Sequence, residues 1–179
     1  PIRVGIVGVG NMGSAHAKNI FEGKVSGMAL AAVCDVEPQK LDWAAKNLPG
    51  VARFSDFEEM AASGLIDMVI VATPHYLHPH MGVSAFRHGL HVLVEKPAGV
   101  YAKQVEELNA AARQSGRVFG IMLNQRMNPL YRKAREMVQS GALGELKRCV
   151  WIITNWYRTQ AYYDSGSWRA TWAGEGGGV

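Results

Sequence analysis

Apolar and polar positions follow two alternating rhythms along this chain. Ile2 to Val9 is an almost unbroken apolar run of strand length, and it meets Gly8, Gly10 and Gly13. A helical repeat follows from about Asn11 to Glu22. Met28 to Cys34 is apolar again and stops at Asp35. Glu37-Pro38 opens a helix in which Leu41, Ala44, Ala45 and Leu48 recur at helical spacing, and Pro49-Gly50 stops it. Val51 to Phe54 predicts a short strand. Ser55-Asp56-Phe57-Glu58 reads as a capping box, opening a short helix that Gly64 ends. Asp67 to Ala72 is continuously apolar after its first residue, as in a parallel strand covered on both faces. Thr73-Pro74-His75-Tyr76 forms the loop at its end. A helix is predicted from His78 to His88, a strand from His91 to Val94, and then Glu95-Lys96-Pro97. Tyr101, Val105, Leu108 and Ala112 mark a helix closed by Gly116, and Val118 to Leu123 is the last strand of the set.

Strand and helix thus alternate through Leu123, the signature of an α/β protein with a doubly wound parallel sheet. From Met127 the pattern changes. Leu130, Ala134, Met137 and Val138 predict a helix ending at Gly141. Glu145 to Tyr157 is rich in β-branched and aromatic residues, among them Trp151, Ile152, Ile153 and Trp156, and predicts a long strand. The expected division is therefore 1–123 for the sheet domain and 124–179 for the start of a second α/β domain. A long apolar strand without later strands to pair with leads us to expect that the sequence continues beyond Val179.

The first turn carries the most specific chemistry. Gly8, Gly10 and Gly13 have the G-x-G-x-x-G spacing between a strand and a helix, the context in which it signifies dinucleotide binding. Gly8 permits the turn, Gly10 lets a pyrophosphate approach the backbone, and Gly13 lets helix and strand pack closely. The helix N–H groups and dipole then face the phosphates. Asp35 stands 22 positions after Gly13, where an acid accepts hydrogen bonds from the adenosine ribose. Its charge repels a 2′-phosphate and Val36 offers no cation, so NAD is favoured over NADP. Ligands of such sheets sit outside the carboxyl ends of the strands, so the glycine turn, Asp35, Thr73–His78, Glu95–Pro97 and Asn124–Arg126 converge on one crevice.

Bulk properties narrow the class. The chain has 179 residues, 48% hydrophobic and 19% charged, with a net charge of +4 and scattered Lys and Arg. Nothing in this calls for nucleic acid, and no apolar run reaches the roughly 20 residues of a membrane span. No signal-peptide pattern precedes the first strand, and Cys34 and Cys149 lie in apolar runs, so a cytoplasmic protein with two reduced, buried thiols is expected. His75, His78 and His80 form an H-x-x-H-x-H cluster, but no cysteine or acid adjoins it, so a structural or cofactor-lining role is preferred to zinc and no metal is expected. His16 reads as a packing residue, and His88 and His91 as exposed or structural.

Together these landmarks resemble the Gfo/Idh/MocA oxidoreductases, the family of glucose–fructose oxidoreductase and inositol dehydrogenase. The matching residues are Gly8-Val9-Gly10-Asn11-Met12-Gly13, Asp35, Ala72-Thr73-Pro74-His75 with His78, Glu95-Lys96-Pro97, Arg126 and Gly176-Gly177-Gly178. The resemblance implies a Rossmann domain for NAD and a second domain with a large open sheet that often mediates homo-oligomers. It places Gly8, Gly10, Asn11, Met12 and Gly13 at the pyrophosphate and Asp35 at the ribose. Thr73, Pro74, His75 and His78 would line the dinucleotide site, with Glu95 by the nicotinamide ribose and Pro97 often cis. Lys96 would contact the substrate hydroxyl, and the Trp168-Arg169 pair looks like one that touches cofactor or substrate. In the family an Asp and a His, commonly the acid/base, follow the glycine triplet. The sequence ends one residue after that triplet.

Hydride removal from an alcohol needs a held nicotinamide, a group that takes the hydroxyl proton, and a dry site. Lys96, expected to be partly buried, suits the second need. Arg126 suits cofactor, substrate or a neighbouring carboxylate. Trp156, Tyr157, Arg158, Trp168, Arg169 and Trp172 suit sugar rings or a protein interface equally. The expected function is NAD-dependent hydride transfer to and from a sugar or cyclitol carbon. The rivals are an NAD-dependent glycosidase using transient oxidation and a non-catalytic NAD(H) sensor.

Overall fold

The computed structural model describes residues 1–154, 157–164, 166 and 168–176. The expectations on Trp156, Gly177 and Gly178 lie outside these residues. The chain forms two compact units, Pro1–Met122 joined by the residues from Ala170 on, and Leu123–Arg169.

The first unit is a six-stranded sheet with strands β1 (Ile2–Val7), β2 (Met28–Cys34), β3 (Ala52–Phe54), β4 (Met68–Val71), β5 (His91–Val94) and β6 (Phe119–Ile121). Their order is β3-β2-β1-β4-β5-β6, every neighbouring pair parallel. The chain starts in the middle, builds one half outward, then returns to build the other, so the order reverses beside β1, where such sheets bind ligands. Between the strands lie α1 (Asn11–Phe21), α2 (Pro38–Asn47), α3 (Phe57–Ala62), α4 (His78–Arg87) and α5 (Ala102–Ser115). Two apolar clusters cover the two faces. One contains Val4, Ile6, Val33 and Ile70 with Ala17, Ile20, Ala44 and Leu48 of α1 and the α2 region. The other contains Val69, Val71, Val92 and Val94 with Met60, Phe86 and Leu108. Burial on both faces explains why these strands read as continuous apolar runs.

Local chemistry sets the element ends. Pro38 stands in the first turn of α2, and Gly116 closes α5 in the left-handed conformation. The capping box lies one residue later than its sequence pattern suggests. Asp56 is the N-cap and accepts from the Glu59 amide at 2.9 Å, while the Glu58 carboxylate accepts from the Ser84 hydroxyl on α4 and lies 2.8 Å from His88 Nε2.

The second unit contains α6 (Pro129–Gln139), capped by Asn128 Oδ1, and the short α7 (Gln160–Asp164). The long strand expected over 145–157 is not formed among the described residues: residues 145–154 and Tyr157 lie in neither helix nor strand and are exposed. Strand-forming composition describes a side-chain surface, but a strand also needs a partner ladder, and none lies alongside among the described residues. Cys149, expected to be buried in that strand, is exposed. No helix among the described residues is long and apolar enough to cross a membrane.

Candidate active site

Sheet register assembles this site. Val7 is level with Cys34 on one side and Val71 on the other, and Val71 is level with Val94. The next residues off these four strands are Gly8, Asp35, Ala72 and Glu95, so they stand in a row across the carboxyl edge. The ladder continues into that row, with Gly8 N donating to Cys34 O, Ala72 N to Val7 O and Glu95 N to Val71 O, all at 2.8–2.9 Å.

The glycine turn has the form a phosphate requires. Gly8 has φ +87°, and a Cβ there would meet the Ala72 carbonyl at 2.7 Å. A Cβ on Gly13 would lie 1.8 Å from Gly8 O, so only glycine lets α1 begin this close to the strand. Above Gly10 a Cβ would meet nothing within 4 Å. Gly10 is the N-cap of α1, and no side chain caps the helix. Asn11 and Met12, in the first turn, are exposed. An uncapped helix start with open space above it fits an anionic pyrophosphate.

Asp35 is bound to this turn. Its Oδ2 accepts from Val9 N at 2.7 Å and its Oδ1 from Glu37 N at 3.0 Å. The carboxylate therefore fixes the glycine loop to the end of β2. Cys34, just before it, is buried, and burial pushes its thiol up to about 12, so it stays protonated and inert.

Glu95 has 6% exposure. Its Oε1 lies 2.7 Å from His16 Nε2, and its Oε2 accepts from Lys96 N at 3.1 Å. Burial alone would raise the Glu95 pKa, but the His16 contact and the Lys96 amide outweigh it and hold the group below the ordinary carboxylate range. His16 is thus not the packing residue expected. The signal for this was available: His16 is three positions after Gly13, so it shares the helix face that Gly13 must turn toward the strands. Lys96 is exposed rather than partly buried, and the Lys96–Pro97 peptide bond is cis.

His78, expected to be structural or cofactor-lining, turns both ring nitrogens to main-chain carbonyls. It is 1% exposed, with Nδ1 2.7 Å from Pro97 O and Nε2 2.7 Å from Thr73 O. Both atoms it faces are acceptors, and a neutral imidazole carries one N–H, so it donates to one of them at a time. Burial is the largest influence on its pKa and pushes it down. With both ring nitrogens facing the main chain, His78 is unsuited to ligate a metal with His75 and His80. Thr73 Oγ1 donates to Met81 Sδ at 3.5 Å.

The helix α8 (Trp172–Glu175) packs beside this loop, where Tyr76 donates to Trp172 O at 2.9 Å and His75 Nδ1 lies 3.3 Å from Glu175 O. No motif in the sequence foretold those contacts. Arg126, Trp168 and Arg169 belong to the second unit. Arg126 is exposed beside a hollow of about 860 Å³ that Tyr131, Arg135 and Trp151 also line. The Arg169 guanidinium stacks on Tyr162 and Trp168, 4.4 and 4.8 Å from their centroids, and donates to the Tyr162 hydroxyl.

Comparison with known proteins gives this arrangement a lineage. Residues 2–123 match the model of the oxidoreductase family with an NAD-binding Rossmann fold. Inositol 2-dehydrogenase of Corynebacterium glutamicum is 32% identical over 148 residues, covering 81% of this chain and 43% of that protein. A glycosyl hydrolase family 109 protein of Saccharopolyspora erythraea is 32% identical over 184 residues, covering 96% of this chain and 39% of its own length. The structure of scyllo-inositol dehydrogenase from Lactobacillus casei with bound NAD(H) and scyllo-inositol superposes with a TM-score of 0.75. Its identity is 36%, over 80% of this chain and 42% of that one. The chain therefore spans less than half the length of these relatives. It belongs to the Gfo/Idh/MocA family of oxidoreductases, with the family's NAD-binding Rossmann fold.

Proposed function

We propose that this chain is the cofactor-bearing part of an NAD-dependent dehydrogenase that exchanges a hydride with a hydroxyl-bearing carbon of a sugar or cyclitol. The row formed by the glycine turn, Asp35 and Glu95-Lys96 along one sheet edge carries the proposal. Gly8, Gly10, Asn11, Met12 and Gly13 hold the pyrophosphate through backbone N–H groups. Asp35 takes the adenosine ribose, since each carboxylate oxygen retains a lone pair beyond the bond it already accepts. Its charge opposes a 2′-phosphate, and Val36 beside it is 83% exposed and uncharged, so NAD is preferred to NADP. Thr73, Pro74, His75 and Pro97 flank the dinucleotide, and His78 supports them from below. Glu95 accepts from the nicotinamide ribose.

When bound, the nicotinamide supplies the hydride acceptor. Lys96, in its amine form, takes the hydroxyl proton as the carbon–hydrogen electron pair leaves and the carbonyl forms. On their chemistry, Arg126 is a cofactor ligand and Trp168 and Arg169 are sugar-facing groups. A cyclitol is the favoured substrate because the inositol dehydrogenases are so named and one was solved with scyllo-inositol. Trp151 and Ile152, 63% and 78% exposed, are proposed to be covered in a homo-oligomer.

The test is Lys96→Ala in the full-length protein. Turnover of the best cyclitol or sugar should fall about 10²–10⁴-fold while NADH affinity persists. Unchanged turnover removes Lys96 from the mechanism. The glycosyl hydrolase relative supports a second reading, transient oxidation within a glycosidase, which sugar release without net NADH would identify.

A further inference from the structure

The geometry points to His16 and His78 as a pair of positioning residues that fix the backbone of Lys96 from both sides and so set the rate of its proton transfer. The inference rests on the dehydrogenase reading above.

Lys96 is exposed, and a lysine side chain is a flexible four-carbon stem ending in a compact charge. Such a stem delivers its amine reproducibly only if its root is fixed. Before Lys96, the Glu95 carboxylate accepts from the Lys96 amide with one oxygen and meets His16 Nε2 with the other. Without His16 a carboxylate of 6% exposure loses its strongest partner, and water or a rotated side chain replaces the bond to the Lys96 amide. After Lys96, Pro97 O faces His78 Nδ1, and the far side of that ring faces Thr73 O. The two anchors come from different parts of the site. His16 belongs to α1, the helix whose first turn is the glycine cradle. His78 is the first residue of α4 and touches the loop after β4. The root of the amine is thereby referenced to the cradle and to the adjoining loop together, which is what proximity catalysis requires of a base and a held cofactor.

The experiment is a double-mutant cycle in the full-length protein, with NAD⁺ and the best cyclitol found for the wild type. His16→Ala should lower kcat about 10–100-fold and change the NADH Kd by less than about 3-fold. In the Lys96→Ala background the same change should cost less than about 3-fold, because a residue that acts through Lys96 has nothing left to position. His16→Gln, whose amide nitrogen lies near the place of Nε2, should restore most of the loss. His78→Asn, which retains a donor near the Nδ1 place, should keep more activity than His78→Leu. An equal loss in both Lys96 backgrounds, or no loss, overturns the inference. If His16→Ala fails to fold, His16→Leu and His78→Leu, which fill the space without the hydrogen bond, carry the same cycle. If the wild type oxidises no cyclitol or sugar, the dehydrogenase reading has failed. Hydrogen exchange at the Lys96 amide in ¹⁵N-lysine protein then decides the positioning: at least about 10-fold faster in His16→Ala supports it, and an unchanged rate overturns it.

Discussion

Asp35 does two jobs at once. It bonds the Val9 and Glu37 amides, and in the proposed function it also presents its charge to the adenosine ribose. Asp35→Ala should therefore weaken NAD about 10-fold, in keeping with the loss of a charged hydrogen bond, and narrow the preference over NADP. Titration of both cofactors checks this, and unchanged NAD affinity would remove Asp35 from the ribose. At this scale the sequence was legible wherever one residue type answers one geometric demand. Gly8 and Gly13 are forced by contacts that a Cβ would violate, and the spacing reported them. His16 was misread because a histidine inside an apolar helix pattern looks alike whether it packs or meets a buried carboxylate, and the H-x-x-H-x-H spacing could not show that His78 faces two carbonyls. Only the folded neighbours distinguish these uses. Lys96 was expected to be partly buried, at the crevice beside the nicotinamide, yet it stands exposed one residue past the buried Glu95.

Among elements, β1 and β4 lie at the centre of the sheet, and their amino ends are pinned by a charge pair. Arg3 donates to Asp67 from its backbone at 2.9 Å and from Nε at 3.0 Å, and the Asp67 amide returns a bond to Arg3 O. The Arg3 side-chain bonds hold Asp67 down to about 2. A carboxylate lowered in the folded state contributes stability above its unfolded value of about 3.9, and loses it as pH falls toward the folded value. Urea midpoints should therefore drop more steeply between about pH 4 and pH 2 in the wild type than in Asp67→Asn. Parallel curves would show that the pair is screened and idle. Strands of the first unit were legible because burial on two faces leaves a continuous apolar run, and its helices because glycine or proline stands within two residues of each carboxyl end. The stretch 145–157 was not, because its composition specifies a surface to be covered while the ladder that would make it a strand lies elsewhere than in its own residues.

For the whole molecule, strand order and register turn separate motifs into a site. The alternation of rhythms along the chain predicted the doubly wound sheet, and the rule that ligands lie at the carboxyl edge predicted that the glycine turn, Asp35 and the loops after β4 and β5 stand together, whereas Asn124–Arg126 belongs to the second unit. The sequence could not supply the one-residue alignment that sets Gly8, Asp35, Ala72 and Glu95 in a row, because register depends on how neighbouring strands slide to bury their side chains. Nor did the pattern foretell that α8 would join the first unit, for its contacts with Tyr76 and His75 run through main-chain carbonyls that any residue carries.

The central claim is that a dinucleotide pyrophosphate rests in the open space above Gly10. That residue has φ −73° and ψ −160°, which any L-residue adopts, and an added Cβ would touch nothing. Gly10→Glu should leave the thermal midpoint nearly unchanged while placing a carboxylate where the phosphates belong. NADH titration of the wild type and this variant is the direct measurement. The account predicts a loss of affinity of at least about 100-fold in a folded protein, on the order of 3 kcal/mol. Equal affinity of the two proteins would contradict it.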